Sequence, residues 1–96
     1  MVLLHGYGGT SLSYARMFKQ LSKRFCVYAL DHLGMGLSSR KMFLRNWERD
    51  ETVDYFVDAI EDWRKSALKK DKMTLVGHSF GGYMATCYAE KYPQNI

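Results

Sequence analysis

Apolar and polar positions along this chain follow two different periods. Short runs of largely apolar, partly β-branched or aromatic residues predict buried strands at about residues 1–5, 25–30 and 72–77. Stretches in which apolar residues recur every three or four positions predict helices at about residues 11–24, 47–69 and 80–92. Strands that alternate with helices indicate an α/β fold on a parallel sheet, with right-handed crossovers and helices on both faces.

The predicted helices also indicate which residues face the core. In the first helix Ala15, Phe18 and Leu21 share one face, which Phe25 continues, while basic residues occupy the other. The long second helix has acidic residues crowded at its start and basic residues, Arg64 among them, crowded at its end. This polarity complements the helix macrodipole, so we expect these charges to need no partner.

Composition excludes several classes of protein. The 96 residues are 47% apolar and 25% charged, which is ordinary for one globular domain and argues against disorder. The net charge of +4 comes from dispersed basic residues, so nucleic-acid binding has little support. Cys26 and Cys87 fall in a predicted strand and a predicted helix, which favours two reduced, buried thiols. The sequence shows no signal peptide or transmembrane stretch, so we expect a chain that is soluble or attached only to a membrane surface.

The pentapeptide Gly77-His78-Ser79-Phe80-Gly81 joins the third predicted strand to the third predicted helix. Its Gly-x-Ser-x-Gly spacing is that of a nucleophile elbow, a sharp turn that holds a serine in strained backbone angles. Gly77 and Gly81 suit such a turn because the backbones on its two sides nearly touch. We expect the Ser79 hydroxyl to be exposed and the Phe80 N–H to face developing negative charge at the helix N-terminus. The alternative is a chance pentapeptide in a βα turn of another fold.

Two glycine-rich loops follow the first and second predicted strands. His5-Gly6-Tyr7-Gly8-Gly9 requires unusual backbone angles or the close approach of another group. Residues 31–40 contain Gly34 and Gly36, but position 39 is serine and no helix follows at once, so a dinucleotide site is disfavoured. We expect a tight turn in which Asp31 binds local backbone N–H groups. Open α/β sheets bind ligands at the carboxyl ends of their strands, where loop 5–9 and Ser79 both fall.

Taken in order, these segments resemble the α/β-hydrolase fold over nearly the whole chain. Residues 5–9 are similar to the oxyanion loop after its third strand, and residues 31–39 to the Asp-x-x-Gly-x-Gly-x-Ser turn after its fourth. Three segments resemble a narrower group, the lysophospholipases and lysophosphatidic acid acyltransferases: residues 34–40, the helix from Phe56 to Arg64, and Lys72-Met73. This group includes a lipid-droplet lipase coactivator. In that coactivator branch asparagine replaces the elbow serine, so the serine here favours a catalytic member.

The resemblance implies a role for each matching residue. Ser79 would be the nucleophile that attacks an acyl ester carbonyl. The backbone N–H groups of Tyr7 and Phe80 would form the oxyanion hole. The supporting motif residues, which shape the loop and the elbow, would be His5, Gly6, Gly77, His78 and Gly81. It implies no metal and no cofactor, and lipid or other carboxylic esters as substrates.

A serine nucleophile needs a base and an orienting acid, and the sequence offers neither in the family's order of serine, acid and histidine. His78 is adjacent to Ser79 and on the wrong side of the turn, while His5 and His32 occupy structural motif positions. Asp31 precedes the nucleophile and matches a structural aspartate. We therefore expect a single partial domain, residues 1–96, that lacks the first and last strands of the fold and is inactive by itself.

Three functions remain at this stage. The first, for the parent protein, is a serine hydrolase of lipid or other carboxylic esters, with acyl transfer as an additional activity. The second is a non-catalytic α/β-hydrolase scaffold that binds lipid or a lipase partner. The third, a flavodoxin-like binding domain, is disfavoured by loop 5–9 and by the loop that begins at Asp31. We expect an intracellular protein, cytoplasmic or peripheral to a membrane, a lipid droplet or a mitochondrion, and the oligomeric state is left open.

Overall fold

The computed structural model describes residues 1–43 and 46–96, and within these ranges three parallel strands form one sheet. Strand β1 (Val2–Leu4) lies in the middle, between β2 (Tyr28–Leu30) and β3 (Leu75–Gly77). Leu4 is in register with Leu30 on one side and with Gly77 on the other. The carboxyl ends of all three strands therefore meet at one edge of the sheet, which confirms the predicted α/β fold with a parallel sheet.

The predicted helices are confirmed in type and order, with different bounds. Helix α1 (Ala15–Leu21) follows a 3₁₀ turn at Ser11–Tyr14. Thr10 caps this turn, and its hydroxyl accepts a hydrogen bond from the Leu12 N–H (3.2 Å). Helix α2 spans Arg49–Ala67 and helix α3 spans Phe80–Lys91. Every strand is shorter than predicted, because an apolar run continues beyond the few residues that pair with a neighbouring strand.

The core lies between the sheet and helices α2 and α3. Val2 and Leu4 of the central strand point to this face and are fully buried there. Leu3, which alternation directs to the opposite face, is also buried. The helices contribute the buried side chains Val57, Ile60, Met84, Cys87 and Tyr88. This packing fixes the elements whose ends carry the candidate site.

Two of the predictions about burial are wrong. Helix α1 buries none of its residues, and Phe18 on its predicted core face is 36% exposed. Tyr14 of the preceding 3₁₀ turn is buried instead, and its hydroxyl donates to the Leu4 carbonyl (2.8 Å). Cys26 is exposed because β2 begins only at Tyr28, whereas Cys87 is buried as predicted.

Arg64, one of the basic residues at the end of α2, forms a buried ion pair within the chain. Its guanidinium donates to both carboxylate oxygens of Glu61 (2.9 and 3.0 Å), and both residues are buried. Glu61 also accepts from the Tyr88 hydroxyl (2.5 Å) and the Asn95 amide (3.1 Å). The Arg64 hydrogen bonds lower the pKa of Glu61 to about 2. Arg64 also donates to the carbonyls of Lys69 and Asp71 in the loop before β3. Together with the Tyr88 bond to Glu61, these contacts tie the end of α2 to that loop and to α3.

Candidate active site

Ser79 occupies a strained turn between β3 and α3. Its backbone angles are φ 54° and ψ −118°, and the positive φ is a conformation that side-chain-bearing residues rarely adopt. The residue is exposed, and its hydroxyl does not cap the helix that follows. The N–H of Phe80, the first residue of α3, belongs to the first turn of the helix, where backbone N–H groups have no intrahelical partner. A hydroxyl and an N–H donor therefore lie together at the carboxyl edge of the sheet.

Gly77 and Gly81 are required by the close approach of backbone segments in this turn. A Cβ atom on Gly77 would lie 2.3 Å from the carbonyl oxygen of Gly81. A Cβ atom on Gly81 would lie 2.1 Å from the carbonyl oxygen of Leu4. The partner atoms are backbone, which cannot move aside as a side chain can. The distances agree with the steric reason that the sequence pattern suggests, and they show that Gly81 also packs on the end of β1.

The glycine-rich loop 5–9 lies against Ser79. A Cβ atom on Gly6 would be 3.4 Å from the Cβ of Ser79 and 3.2 Å from Nδ1 of His78. The loop turns tightly, because the Gly9 N–H donates to the Gly6 carbonyl (3.0 Å) and Gly8 has a φ of 72°. The structure therefore brings together the loop after β1 and the turn after β3, which are separated by about 70 residues in the sequence.

His5 and His32 hold this loop to the loop that follows β2. The N–H of His32 donates to Nε2 of His5 (3.1 Å), and Nε2 of His32 contacts the His5 carbonyl (3.0 Å). Because Nε2 of His5 accepts this hydrogen bond, Nδ1 is the ring nitrogen that carries the proton, and it donates to the Gly6 carbonyl (2.7 Å). Both imidazoles are buried. Together they fix the position of the backbone that passes over Ser79.

Burial keeps the His32 imidazole neutral. Desolvation, followed by the nearby His5 ring, lowers the pKa of His32 to about 4. The ring is surrounded by aromatic groups, with centroid distances of 4.6 Å to His5, 5.0 Å to Phe80 and 6.3 Å to Phe56. His32 thus contacts the loop after β1, the first residue of α3 and helix α2 at once.

Asp31 organises the loop after β2, as the sequence predicts. Its carboxylate accepts from the Ser11 N–H (2.6 Å) and from the Leu37 N–H (3.0 Å). These hydrogen bonds hold the pKa of the Asp31 carboxyl below its usual range, and the bond from Ser11 has the largest effect. Gly36 has a φ of 53°, and a Cβ there would lie 2.3 Å from the carboxylate. Asp31 is therefore committed to backbone groups of its own loop and of the turn before α1.

Within residues 1–43 and 46–96, no hydrogen bond joins a histidine or a carboxylate to the Ser79 hydroxyl. The ring nitrogens of His5 are both occupied, and His32 is directed at the His5 carbonyl. Over the same described ranges, no group of three or more His, Cys, Asp and Glu side chains could hold a metal ion. The described helices also include none that is long and apolar enough to cross a membrane.

An apolar pocket of about 330 Å³ opens beside the turn. It is bordered by Tyr7 and Phe80, whose N–H groups the sequence singles out, and by Met35, Phe43 and Phe56. Sequence reasoning did not find this pocket, because its residues come from four separate segments. The signal that could have pointed to it is the density of aromatic residues between positions 43 and 56.

The chain is similar along its whole length to acyltransferases of animals and plants. It is 46% identical over 96 residues to the rat 1-acylglycerol-3-phosphate O-acyltransferase ABHD5, covering 100% of this chain and 26% of that protein. It is 44% identical over 96 residues to an Arabidopsis thaliana 1-acylglycerol-3-phosphate O-acyltransferase, covering 22% of that protein. The chain spans about a quarter of the length of these curated relatives.

Solved structures show the same fold. E-2-(acetamidomethylene)succinate hydrolase superposes with a TM-score of 0.86 at 28% identity, covering 100% of this chain and 33% of that one. A bacterial membrane phospholipase A superposes with a TM-score of 0.82 at 27% identity, covering 99% of this chain and 29% of that one. The family model of the alpha/beta hydrolase fold matches residues 1–96. The chain therefore belongs to the α/β-hydrolase fold family.

Proposed function

We propose that Ser79 is the nucleophile of a serine hydrolase or acyltransferase that acts on the carboxylic esters of lipids. The observation that carries the proposal is the strained, exposed Ser79 turn lying against loop 5–9. A serine in this position attacks the carbonyl carbon of an ester, and the oxygen of that carbonyl becomes negatively charged. The N–H groups of Tyr7 and Phe80 are the proposed donors to that oxygen, a role worth roughly 10²–10³ in kcat per donor in enzymes where it has been measured.

The apolar pocket supports lipids as the substrate class. Tyr7 and Phe80, the residues that carry the proposed N–H donors, both line it, and the rest of its wall is aromatic and aliphatic apart from Gly34, Arg40 and Lys41. Such a pocket binds an acyl chain through burial of hydrocarbon, worth about 0.8 kcal/mol per CH₂ group. The names of the relatives, which are 1-acylglycerol-3-phosphate O-acyltransferases, and of the phospholipase neighbour agree with an acyl ester of a glycerolipid. Such substrates imply work at the surface of a membrane or lipid droplet.

A second function follows from the same site. Because no base is bonded to Ser79 within the described residues, we keep as the alternative a non-catalytic scaffold that binds lipid or a lipase partner. The 96-residue chain by itself is expected to turn over no ester. The two functions therefore have to be compared in the complete translation product that contains residues 1–96.

The test is ester hydrolysis by that complete product. We expect p-nitrophenyl esters of fatty acids to be hydrolysed, and Ser79→Ala to lower kcat by at least about 10⁴-fold, as loss of a serine nucleophile does. Ser66→Ala, which removes an exposed hydroxyl from α2, is the matched control and should leave kcat unchanged. No hydrolysis by the unaltered protein would favour the scaffold, whereas equal hydrolysis by Ser79→Ala would show that Ser79 is not the nucleophile.

A further inference from the structure

The Leu4 carbonyl is the point at which the glycine-rich loop and the Ser79 turn meet. It accepts hydrogen bonds from two donors, the Tyr14 hydroxyl (2.8 Å) and the His78 N–H (3.1 Å). Leu4 is the last residue of β1, so loop 5–9 starts directly after this carbonyl. His78 immediately precedes the candidate nucleophile. A side chain that binds this carbonyl therefore acts on the loop and on the turn at the same time.

Tyr14 also closes the chain around the loop. It ends the 3₁₀ turn that follows loop 5–9, and its hydroxyl reaches back ten positions to the carboxyl end of β1. One hydrogen bond therefore holds the two ends of the loop together. Between these ends the loop folds tightly, since the Gly9 N–H donates to the Gly6 carbonyl (3.0 Å). Tyr7, whose N–H is one of the two proposed donors to the oxyanion, lies within this closed segment.

Tyr14 and the two histidines hold the loop from different sides. Tyr14 is only 6% exposed, and its 3₁₀ turn packs against β1 and β2. His5 and His32 join the loop to the segment after β2 (3.1 Å). If the Tyr14 hydroxyl is removed, the Leu4 carbonyl keeps its bond from the His78 N–H, so the turn after β3 stays paired with β1. The loss then falls on the return of the loop rather than on the sheet.

We propose that Tyr14 is a positioning residue for the oxyanion hole, whose buried hydroxyl sets the distance between the N–H groups of Tyr7 and Phe80. The inference rests on the proposed function, because it concerns the two donors of that site. Two donors stabilise an oxyanion only when both lie about 2.7–3.1 Å from the place that the oxygen takes in the transition state. A displacement of about 1 Å is enough to lower a rate about 10²-fold. Tyr14 touches no reacting atom and acts through the backbone at the end of β1.

The first measurement is hydrogen exchange at single amides of the complete translation product, with Tyr14→Phe as the variant. We expect the Gly9 N–H, which is bonded within the loop, to exchange at least about tenfold faster, because the loop opens locally once its closing bond is gone. Tyr88→Phe is the matched control. It also removes the hydroxyl of a buried tyrosine, one that donates to Glu61 and not to the loop. That variant should leave exchange at Gly9 unchanged.

The second measurement compares hydrolysis of a p-nitrophenyl ester with that of its thionoester, in which sulfur replaces the carbonyl oxygen. Tyr14→Phe should lower kcat for the oxygen ester by about 10- to 100-fold with little change in KM, because the oxyanion contacts are made only in the transition state. The thionoester should lose less, since its larger sulfur fits donors placed for oxygen poorly, and the ratio of the two rates should fall about tenfold. A merely destabilised protein loses both rates equally and keeps the ratio, as Tyr88→Phe should.

Two synthetic amino acids at position 14 separate the hydrogen bond from the shape of the ring. 4-Aminophenylalanine keeps a donor in the same place and should restore both the slow exchange at Gly9 and the rate ratio. 4-Fluorophenylalanine fills the space without donating and should behave as Tyr14→Phe does, which it replaces if that variant does not fold. Unchanged exchange at Gly9 or an unchanged rate ratio in Tyr14→Phe would overturn the proposal, as would an equal effect of Tyr88→Phe. Absence of ester hydrolysis by the unaltered protein would count against the proposed function, whereas the exchange measurement needs no turnover and would still decide whether Tyr14 places the loop.

Discussion

His32 should make the stability of the chain depend on pH between 7 and 5. Its imidazole is buried between the loop after β1, helix α2 and the start of α3, and its pKa is lowered to about 4. The unfolded chain has an ordinary histidine, with a pKa of about 6.5. Between these two values the unfolded state binds the proton and the folded state does not, so the free energy of unfolding falls as the pH falls.

The magnitude follows from the two pKa values. Once the pH is well below 6.5, each further pH unit costs about 1.4 kcal/mol until the folded pKa is approached. From pH 7 to pH 5 the loss amounts to about 2 kcal/mol, which is a large part of the stability of a small domain. The pKa of Glu61 is lowered to about 2, so its contribution is lost only at more acidic pH. The interval from pH 7 to pH 5 therefore reports mainly on His32.

The measurement is urea unfolding at pH 7 and at pH 5, followed by the fluorescence of Trp47 and Trp63. The variant is His32→Gln, whose amide can still donate to the His5 carbonyl and does not titrate. We expect the difference between the two pH values to shrink by about 2 kcal/mol in this variant. His78→Gln, which removes an exposed histidine, is the control and should keep the difference. A His32→Gln variant that loses as much stability at pH 5 as the unaltered chain would show that His32 is not the source of the pH dependence.

Two further predictions concern packing at either end of the molecule. Gly81→Ala should destabilise the chain by more than about 3 kcal/mol or prevent folding, because its Cβ would lie 2.1 Å from a backbone oxygen of β1. Gly82→Ala, one residue along the same helix, should change the stability by no more than about 1 kcal/mol, because the nearest atom to its Cβ would be 3.3 Å away and alanine favours the helix. Thermal unfolding compares the two variants. Glu61→Gln should lower the free energy of unfolding in urea by about 3–5 kcal/mol, because it leaves Arg64 buried without its carboxylate. Lys65→Ala removes an exposed cation 3.8 Å from the same carboxylate and should cost under about 1 kcal/mol. Equal losses for either pair would contradict the packing described.

The order of elements could be predicted from the sequence because each element has its own period. The apolar run from Met1 to Leu4 predicts a strand, and the recurrence of apolar residues around Val57 and Ile60 predicts a helix. Neither prediction depends on the rest of the chain. Their bounds could not be predicted, because a strand ends where its neighbour ceases to pair. Cys26 lies in an apolar run and outside β2 for this reason.

The candidate site was predictable only where it depends on local geometry. Gly77 and Gly81 are required by a single tight turn, so their spacing reveals it. The bonds between His5 and His32 join residues from two loops, and the sequence gives no measure of that distance. Arg64 looks like other cations near a helix end. Its partner Glu61 lies only three residues earlier in the same helix, but the distant residues Tyr88 and Asn95, which donate to Glu61, make the pair part of a buried network. Long-range contacts, rather than local pattern, account for what the sequence did not reveal.

The most direct test of the central claim is covalent labelling of Ser79. The complete translation product is treated with a fluorophosphonate, which reacts with activated serine hydroxyls, and the modified residue is identified by mass spectrometry. We expect one adduct, located on Ser79 and absent from the Ser79→Ala variant. No adduct, or an adduct on another serine such as Ser66, would contradict the assignment of Ser79 as the nucleophile.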